Sequence, residues 1–157
     1  MNSDSKISDG CAKTIKKPFS RTTSISISID SDLSIIWTLL TNASDYPRWN
    51  STIISLEGKI EPGEKIKLRS TLDERRTFKL KITNMIPEKT MAWQGNSGER
   101  IYSLDEDENG RVKFSMTEKI GGLIFPLYAG YIPPFNEAFE KFAEDLKKEA
   151  EIIPKTK

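Results

Sequence analysis

The run 133–153, PPFNEAFEKFAEDLKKEAEII, limits the possible folds of this chain more than any other stretch. Phe135, Phe139, Phe142, Leu146 and Ala150 recur at spacings of four, three, four and four, which is one face of an α-helix. Pro133 and Pro134 stand at its start, where a missing N–H costs little. Glu137 and Glu140 near the start, with Lys147 and Lys148 near the end, suit the helix dipole. Roughly 20 residues at 1.5 Å each span about 30 Å, the width of a small domain. Three phenylalanines on one face need an apolar partner surface, and the rest of the chain must provide it.

The preceding residues have the pattern of such a surface. In 22–30, TTSISISID, Ile25, Ile27 and Ile29 alternate with serines, the period of a half-buried strand. Ser31 or Asp32 then caps a helix over 33–41 that buries Ile36, Trp37 and Leu40. Pro47 interrupts 42–50, which reads as a second short helix or turn tucking Tyr46 and Trp49 inward. Six strand signals follow, at 52–58, 64–71, 77–86, 90–95, 100–105 and 111–120, with turns at 61–63, 73–76, 87–89, 96–98 and 108–110. Even positions are apolar in the best of them: Ile66 and Leu68, Phe78, Leu80 and Ile82, Val112, Phe114 and Met116. Lys65, Lys67, Arg69, Lys79 and Lys81 point the other way, giving one basic face that reads as solvated. The order is strand, helix pair, six strands and long helix. It predicts an α+β domain over 21–153 with a mostly antiparallel sheet of about seven strands. Residues 1–20 and 154–157 read as tails, the first of them flexible and holding Cys11. The connector 121–132, GGLIFPLYAGYI, is too apolar to lie wholly in water; it is a strand end, a core plug or a lid.

Composition removes whole classes of chemistry. The 157 residues include no histidine and one cysteine. Ser-His-Asp and Cys-His catalysis, imidazole bases, intrachain disulfides and thiol- or His-based metal sites are therefore absent, and no cofactor is expected. The 24 Lys and Arg against 23 Asp and Glu leave a formal charge of +1, with no bulk drive toward nucleic acid. No apolar run approaches the roughly 18–20 residues of a bilayer span, and the first residues lack the apolar core of a signal peptide. The expectation is a cytoplasmic monomer or homodimer with no nucleic acid partner and no integral membrane contact.

Arg100 and Glu118 are charges on apolar faces. Arg100 shares its face with Tyr102 and Leu104, and Glu118 shares one with Met116 and Phe114. A hairpin through a three-residue loop, Glu108-Asn109-Gly110, with Gly110 at positive φ, sets Leu104 opposite Phe114 and Tyr102 opposite Met116. In that same register Arg100 faces Glu118, and pairing offsets the cost of burying either charge alone. The pair is either a structural salt bridge near the strand ends or a polar group facing a ligand. The aromatic residues are open in the same way. Trp37, Trp49, Trp93, Phe114 and the helix phenylalanines read as core, and they also suit the walls of an apolar cavity.

Three local patterns resemble the START and polyketide cyclase/dehydrase-like superfamily (SRPBCC), the helix-grip fold also described as birch-pollen-allergen-like. They are Ile35-Ile36-Trp37 followed by Tyr46-Pro47-Arg48-Trp49-Asn50; then Gly58 with Pro62-Gly63; then Gly98, Arg100, Tyr102 and Leu104 followed by Phe114, Glu118, Gly121 and Leu123, leading to Phe139 and Leu146-Lys147. The resemblance covers residues 19–151. Many relatives carry a histidine where this chain has Arg100, so an imidazole role is replaced by a permanent charge. The resemblance implies a sheet curled around the C-terminal helix, with a cavity for a small hydrophobic, lipid-like or polyketide-like ligand between them. The candidate lining is Trp49, Trp93, Arg100, Tyr102, Phe114, Met116, Glu118, Phe125, Tyr128, Phe135, Phe139 and Phe142. Two alternatives remain. One is a cyclase or dehydratase in which Arg100 polarises a carbonyl, Glu118 acts as base and Tyr102 donates a proton. The other is a protein-interaction module using the basic face or the helix.

Overall fold

In the computed structural model, which describes residues 9–156, the Ile/Ser alternation forms a strand, Ser20–Ile29 (β2), whose inward side chains from Arg21 to Ile29 are all buried. A strand over Lys13–Lys17 (β1) precedes it in an antiparallel hairpin. This corrects the reading of 1–20 as one flexible tail; residues 1–8 of that tail lie outside the described residues. Apolar alternation is absent from β1, because side-chain hydrogen bonds hold it instead. Thr14 Oγ1 donates to Asn136 at 2.5 Å and lies 3.0 Å from Thr23 Oγ1.

Helix α1 covers Leu33–Thr41 and α2 covers Tyr46–Trp49, linked by a 3-10 turn at Ala43–Asp45. Ile36 and Leu40 are buried, whereas Trp37 is only half-buried. Six strands follow as expected in number: Ile53–Glu57 (β3), Lys65–Ser70 (β4), Asp73–Ile86 (β5), Thr90–Gln94 (β6), Gly98–Glu106 (β7) and Val112–Gly121 (β8). The charged run 73–76 is strand rather than turn, since Ser70 pairs with Asp73 and the chain reverses at Thr71 and Leu72. Two short turns, α3 (Phe125–Tyr128) and a 3-10 turn at Ala129–Tyr131, lead to the long helix α4 (Asn136–Ile152).

All eight strands form one antiparallel sheet in the order β1-β2-β8-β7-β6-β5-β4-β3, one strand more than the sequence predicts. Between β7 and β8 the register is the expected one. Arg100 pairs with Glu118, Tyr102 with Met116 and Leu104 with Phe114. Gly110 takes φ 77° in the loop, and the Asp107 N–H donates to the Arg111 carbonyl at 2.8 Å. Register shifts in β3/β4, β4/β5 and β5/β6 bend that half of the sheet.

Both edges of the sheet reach α4. On one side the Ala12 N–H donates to Glu140 Oε2 at 2.9 Å; on the other the Ser51 N–H and hydroxyl donate to Asp145 Oδ2 at 2.8 and 2.7 Å. Between these ties α4 buries Phe139, Phe142, Ala143, Leu146 and Ala150 against the sheet. Each large side chain so buried contributes about 1.5–3 kcal/mol. The last residues are also anchored: Lys155 Nζ pairs with Asp30 at 2.8 Å, and the Thr156 N–H and hydroxyl donate to Asp32 Oδ2. The expected 154–157 tail is thus tied down through residue 156, and residue 157 lies outside the described residues.

Near the end of α4, Glu151 accepts from Lys147 Nζ at 2.7 Å and from the Asp30 N–H at 2.8 Å. Burial pushes its carboxyl up, but these hydrogen bonds and the Lys147 charge together hold it below the ordinary value. The folded form therefore gives up stability as pH falls from the unfolded pKa, about 4.3, through the lower folded one. We expect the urea midpoint of Glu151→Gln to fall less between about pH 5 and pH 3 than that of the parent. An identical acid loss in both proteins would show that Glu151 is not responsible.

Candidate functional site

The sheet directs Arg100 and Glu118 inward from adjacent strands, and α4 closes over them. Arg100 Nε donates to Glu118 Oε1 at 2.6 Å, and Nη1 donates to the Tyr102 hydroxyl at 3.3 Å. The guanidinium carbon lies 5.1 Å from the Phe139 ring centre, 5.9 Å from Phe142 and 6.0 Å from Trp93. A desolvated cation over aromatic faces gains about 2 kcal/mol, which offsets part of its burial. Burial pulls the Arg100 pKa down, but the Glu118 carboxylate and the Tyr102 hydroxyl outweigh it and raise the value above the ordinary one. Burial pushes Tyr102 up, opposed by the Arg100 charge. Tyr102 therefore stays a neutral hydroxyl.

The rings form a continuous stack behind this pair. Tyr102 lies 5.7 Å from Phe142 and 6.0 Å from Phe114, and Trp93 meets Tyr102 edge-on at 5.0 Å. On the far side of Phe142 stand Trp49 at 6.0 Å and Tyr46 at 6.1 Å. Phe135 stacks on Phe139 at 6.1 Å, and the Arg21 guanidinium carbon lies 5.2 Å from the Phe135 ring centre.

Of the twelve expected lining residues, Arg100, Met116, Phe139 and Phe142 border one enclosed space, together with Thr52, Ile53, Leu68, Ser70, Leu72 and Ala138. Its volume is about 20 Å³. That is room for one water, against roughly 300 Å³ or more for a ligand pocket. The expected ligand-sized cavity is therefore closed, because Phe139 and Phe142 fill the space between helix and sheet. Trp49, Trp93, Tyr102, Phe114, Glu118 and Phe135 lie one layer behind the void. Phe125 and Tyr128 pack on each other at 5.6 Å and do not line it, so the connector 121–132 is not its wall. Of the residues lining the void, Leu72 in the β4–β5 turn and Ala138 in the first turn of α4 are half-buried.

Three functional features are missing from the sequence reading. Arg21 is a second inward arginine; it donates to the Ile132 and Pro133 carbonyls at 3.3 and 2.8 Å. Its odd position, in step with Ile25, Ile27 and Ile29, was the available signal. Thr52 and Ser70 add hydroxyls to the void. Trp49 Nε1 and Asn50 Nδ2 are buried without a hydrogen-bond partner. The Asn50 amide is oriented by its Oδ1, which accepts from the Thr52 N–H and hydroxyl at 3.1 and 2.6 Å. Among the described residues no group of His, Cys, Asp or Glu is placed to hold a metal, and no helix is long and apolar enough to cross a membrane.

Solved structures match this arrangement of sheet and helix. A START superfamily protein from Mycobacterium smegmatis superposes with a TM-score of 0.63 at 14% identity, over 85% of this chain and 99% of that one. The chain has a START-like, helix-grip fold. The Aha1 dimer from Colwellia psychrerythraea is similar at a TM-score of 0.64 and 22% identity, over 83% of this chain and 96% of that one. A protein from Mesorhizobium loti gives 0.66 at 16% identity, over 85% and 99%. No protein-family model and no curated protein sequence matches. At these identities the START-like likeness is one of fold.

The geometry makes the ion pair interdependent. Glu118→Gln leaves the Arg100 charge buried and unpaired, and is expected to cost about 3 kcal/mol in urea unfolding. The double change Arg100→Met with Glu118→Leu should cost far less than the two single changes summed. Additive losses in that cycle would mean the two groups do not act as a pair.

Proposed function

We propose that this START-like domain binds a small hydrophobic molecule, lipid-like or polyketide-like, between the sheet and α4, with an acceptor oxygen directed at Arg100. One observation carries the reading: a buried cation borders the void, and two buried donors close behind it have no hydrogen-bond partner. Arg100 borders the void, and Trp49 Nε1 and Asn50 Nδ2 are unpartnered one layer behind it, next to Phe142 and Thr52. An unsatisfied buried donor costs about 1–3 kcal/mol, and a ligand carbonyl or carboxylate would recover it once the void widens as far as Trp49 or Asn50. The surrounding rings suit an apolar body.

Binding requires the closed void to widen. The movable boundary is the β4–β5 turn at Thr71 and Leu72 facing Ala138, where chain reversal and helix start meet. Rotation of Phe139 and Phe142 away from the guanidinium would exchange cation–π contact for contact with ligand. The cyclase or dehydratase alternative is less favoured. It needs Glu118 free to take a proton, and Arg100 holds that carboxylate at 2.6 Å.

Titration of lipid-free protein with decanoic acid, read by intrinsic tryptophan fluorescence, tests the proposal. The expected result is saturable quenching, since Trp93 and Trp49 both stand within one ring of the site. Ala138→Trp, which adds bulk at the half-buried rim of the void, should weaken binding at least about tenfold in protein that a thermal melt shows to be folded. Absence of saturable change with decanoic acid and with a neutral long-chain ketone, together with no co-purifying ligand in native mass spectrometry, would overturn it.

A further inference from the structure

The connector between β8 and α4 turns large apolar side chains into solvent. Leu123 is 92% exposed, Leu127 79% and Tyr131 87%, and Ile124 is exposed beside them. Leu123 in the turn before α3, Leu127 within α3 and Tyr131 in the 3-10 turn after it stand four residues apart, while Phe125 is buried. The exposed residues between them, Pro126 and Gly130, add no polar group. Phe19, at the tip of the β1–β2 hairpin, extends the patch. It is exposed, and its carbonyl accepts from the Gly122 N–H at 3.0 Å. Gly121 permits that approach, because a Cβ there would lie 2.6 Å from the Phe19 oxygen.

Clustered apolar surface of this kind marks a contact site, and the surrounding charge indicates which contact. Residues 10–29 contain Lys13, Lys16, Lys17 and Arg21 and no acidic residue; residues 119–136 contain Lys119 and no acidic residue. Lys16 pairs across the hairpin with Arg21, whose guanidinium donates to the Ile132 and Pro133 carbonyls, so these cations border the connector. Lys16, Lys17 and Lys119 make no salt bridge among the described residues. The acidic groups nearby are few: Glu99 pairs across from Lys119, Glu118 turns inward to Arg100 and also faces Arg21, Glu137 is bound to Lys141, and Glu140 accepts from the Ala12 N–H. In a chain of net charge +1 this is a local concentration of cations around an apolar tip.

We infer that this tip docks peripherally on an anionic lipid bilayer. Leu123, Ile124 and Leu127 enter the boundary between headgroups and acyl chains, Tyr131 sits at the headgroup level, and Lys16 and Lys17 face lipid phosphates. A second copy of the chain is a poorer occupant, because two-fold pairing would bring the same acid-poor, cationic rims together. The inference does not depend on the ligand reading. Its probe is the vesicle itself, whereas ligand binding is measured in lipid-free solution, so either can fail alone.

Cosedimentation with phosphatidylcholine vesicles, with and without phosphatidylglycerol, provides the test. Binding is expected to the anionic vesicles only, and to weaken as salt rises toward about 0.5 M. Lys16→Gln and Lys17→Gln should each weaken it about fivefold. Leu123→Ser with Leu127→Ser should abolish it, and since both residues are exposed the melting temperature should not change. Lys79→Gln with Lys81→Gln, on the basic outer face of β5, should leave binding intact. The inference is overturned if wild type binds neither vesicle, if binding ignores lipid charge and salt, or if the β5 changes weaken it as much as those at Lys16 and Lys17. It is equally overturned if sedimentation equilibrium shows a dimer that Leu127→Ser dissociates.

Discussion

The Arg100 guanidinium lies between β7 and α4, where it cannot shed its charge and cannot reach water freely. The surrounding residues answer that constraint. Glu118 neutralises it from the next strand, Tyr102 accepts a hydrogen bond from it, and Phe139, Phe142 and Trp93 present ring faces to it. Replacing the charge with an apolar residue would make a simpler core. Keeping it ties the β7–β8 register to the rotational setting of α4, because a one-residue slip would move Glu118 to the outer face and leave the arginine unpaired.

The same constraint separates two regions that the amino-acid pattern had joined. The connector 121–132 read as a strand end, a core plug or a lid, and it does contribute Phe125 to the core. The void beside Arg100 is nevertheless bordered by the β4–β5 turn and the start of α4, and not by the connector. The connector is left with its apolar outer side unused by the fold. One end of the molecule thus offers a donor-rich interior, and the hairpin tip with the connector offers an apolar, cation-rimmed exterior.

The β7–β8 register was legible because Gly110 and the two displaced charges gave independent signals that agreed. The long helix was legible from its spacing alone. Strand β1 was not, since Thr14 and Ala12 are held by hydrogen bonds to Asn136 and Glu140, which hydropathy does not register. The run 73–76 misled because four charged residues read as a turn, whereas in β5 they continue the strand past its partner β6. Cavity volume depends on the rotamers of Phe139 and Phe142, and residue identity carries no information about those. Arg21 was lost by starting β2 two residues late, although parity placed it inward.

The grip also sets an order of assembly. Strand β2 stands early in the chain, yet its partner β8 begins at Val112, and α4, which covers both, is the last long element made. During synthesis the apolar face of the sheet therefore waits uncovered until nearly the whole domain has left the ribosome. Contacts this distant in sequence slow folding and prolong exposure of unpaired edges. The lysines of β1 and β4 then have a use before the native state exists, because charged edges and faces discourage growing sheets from pairing with one another.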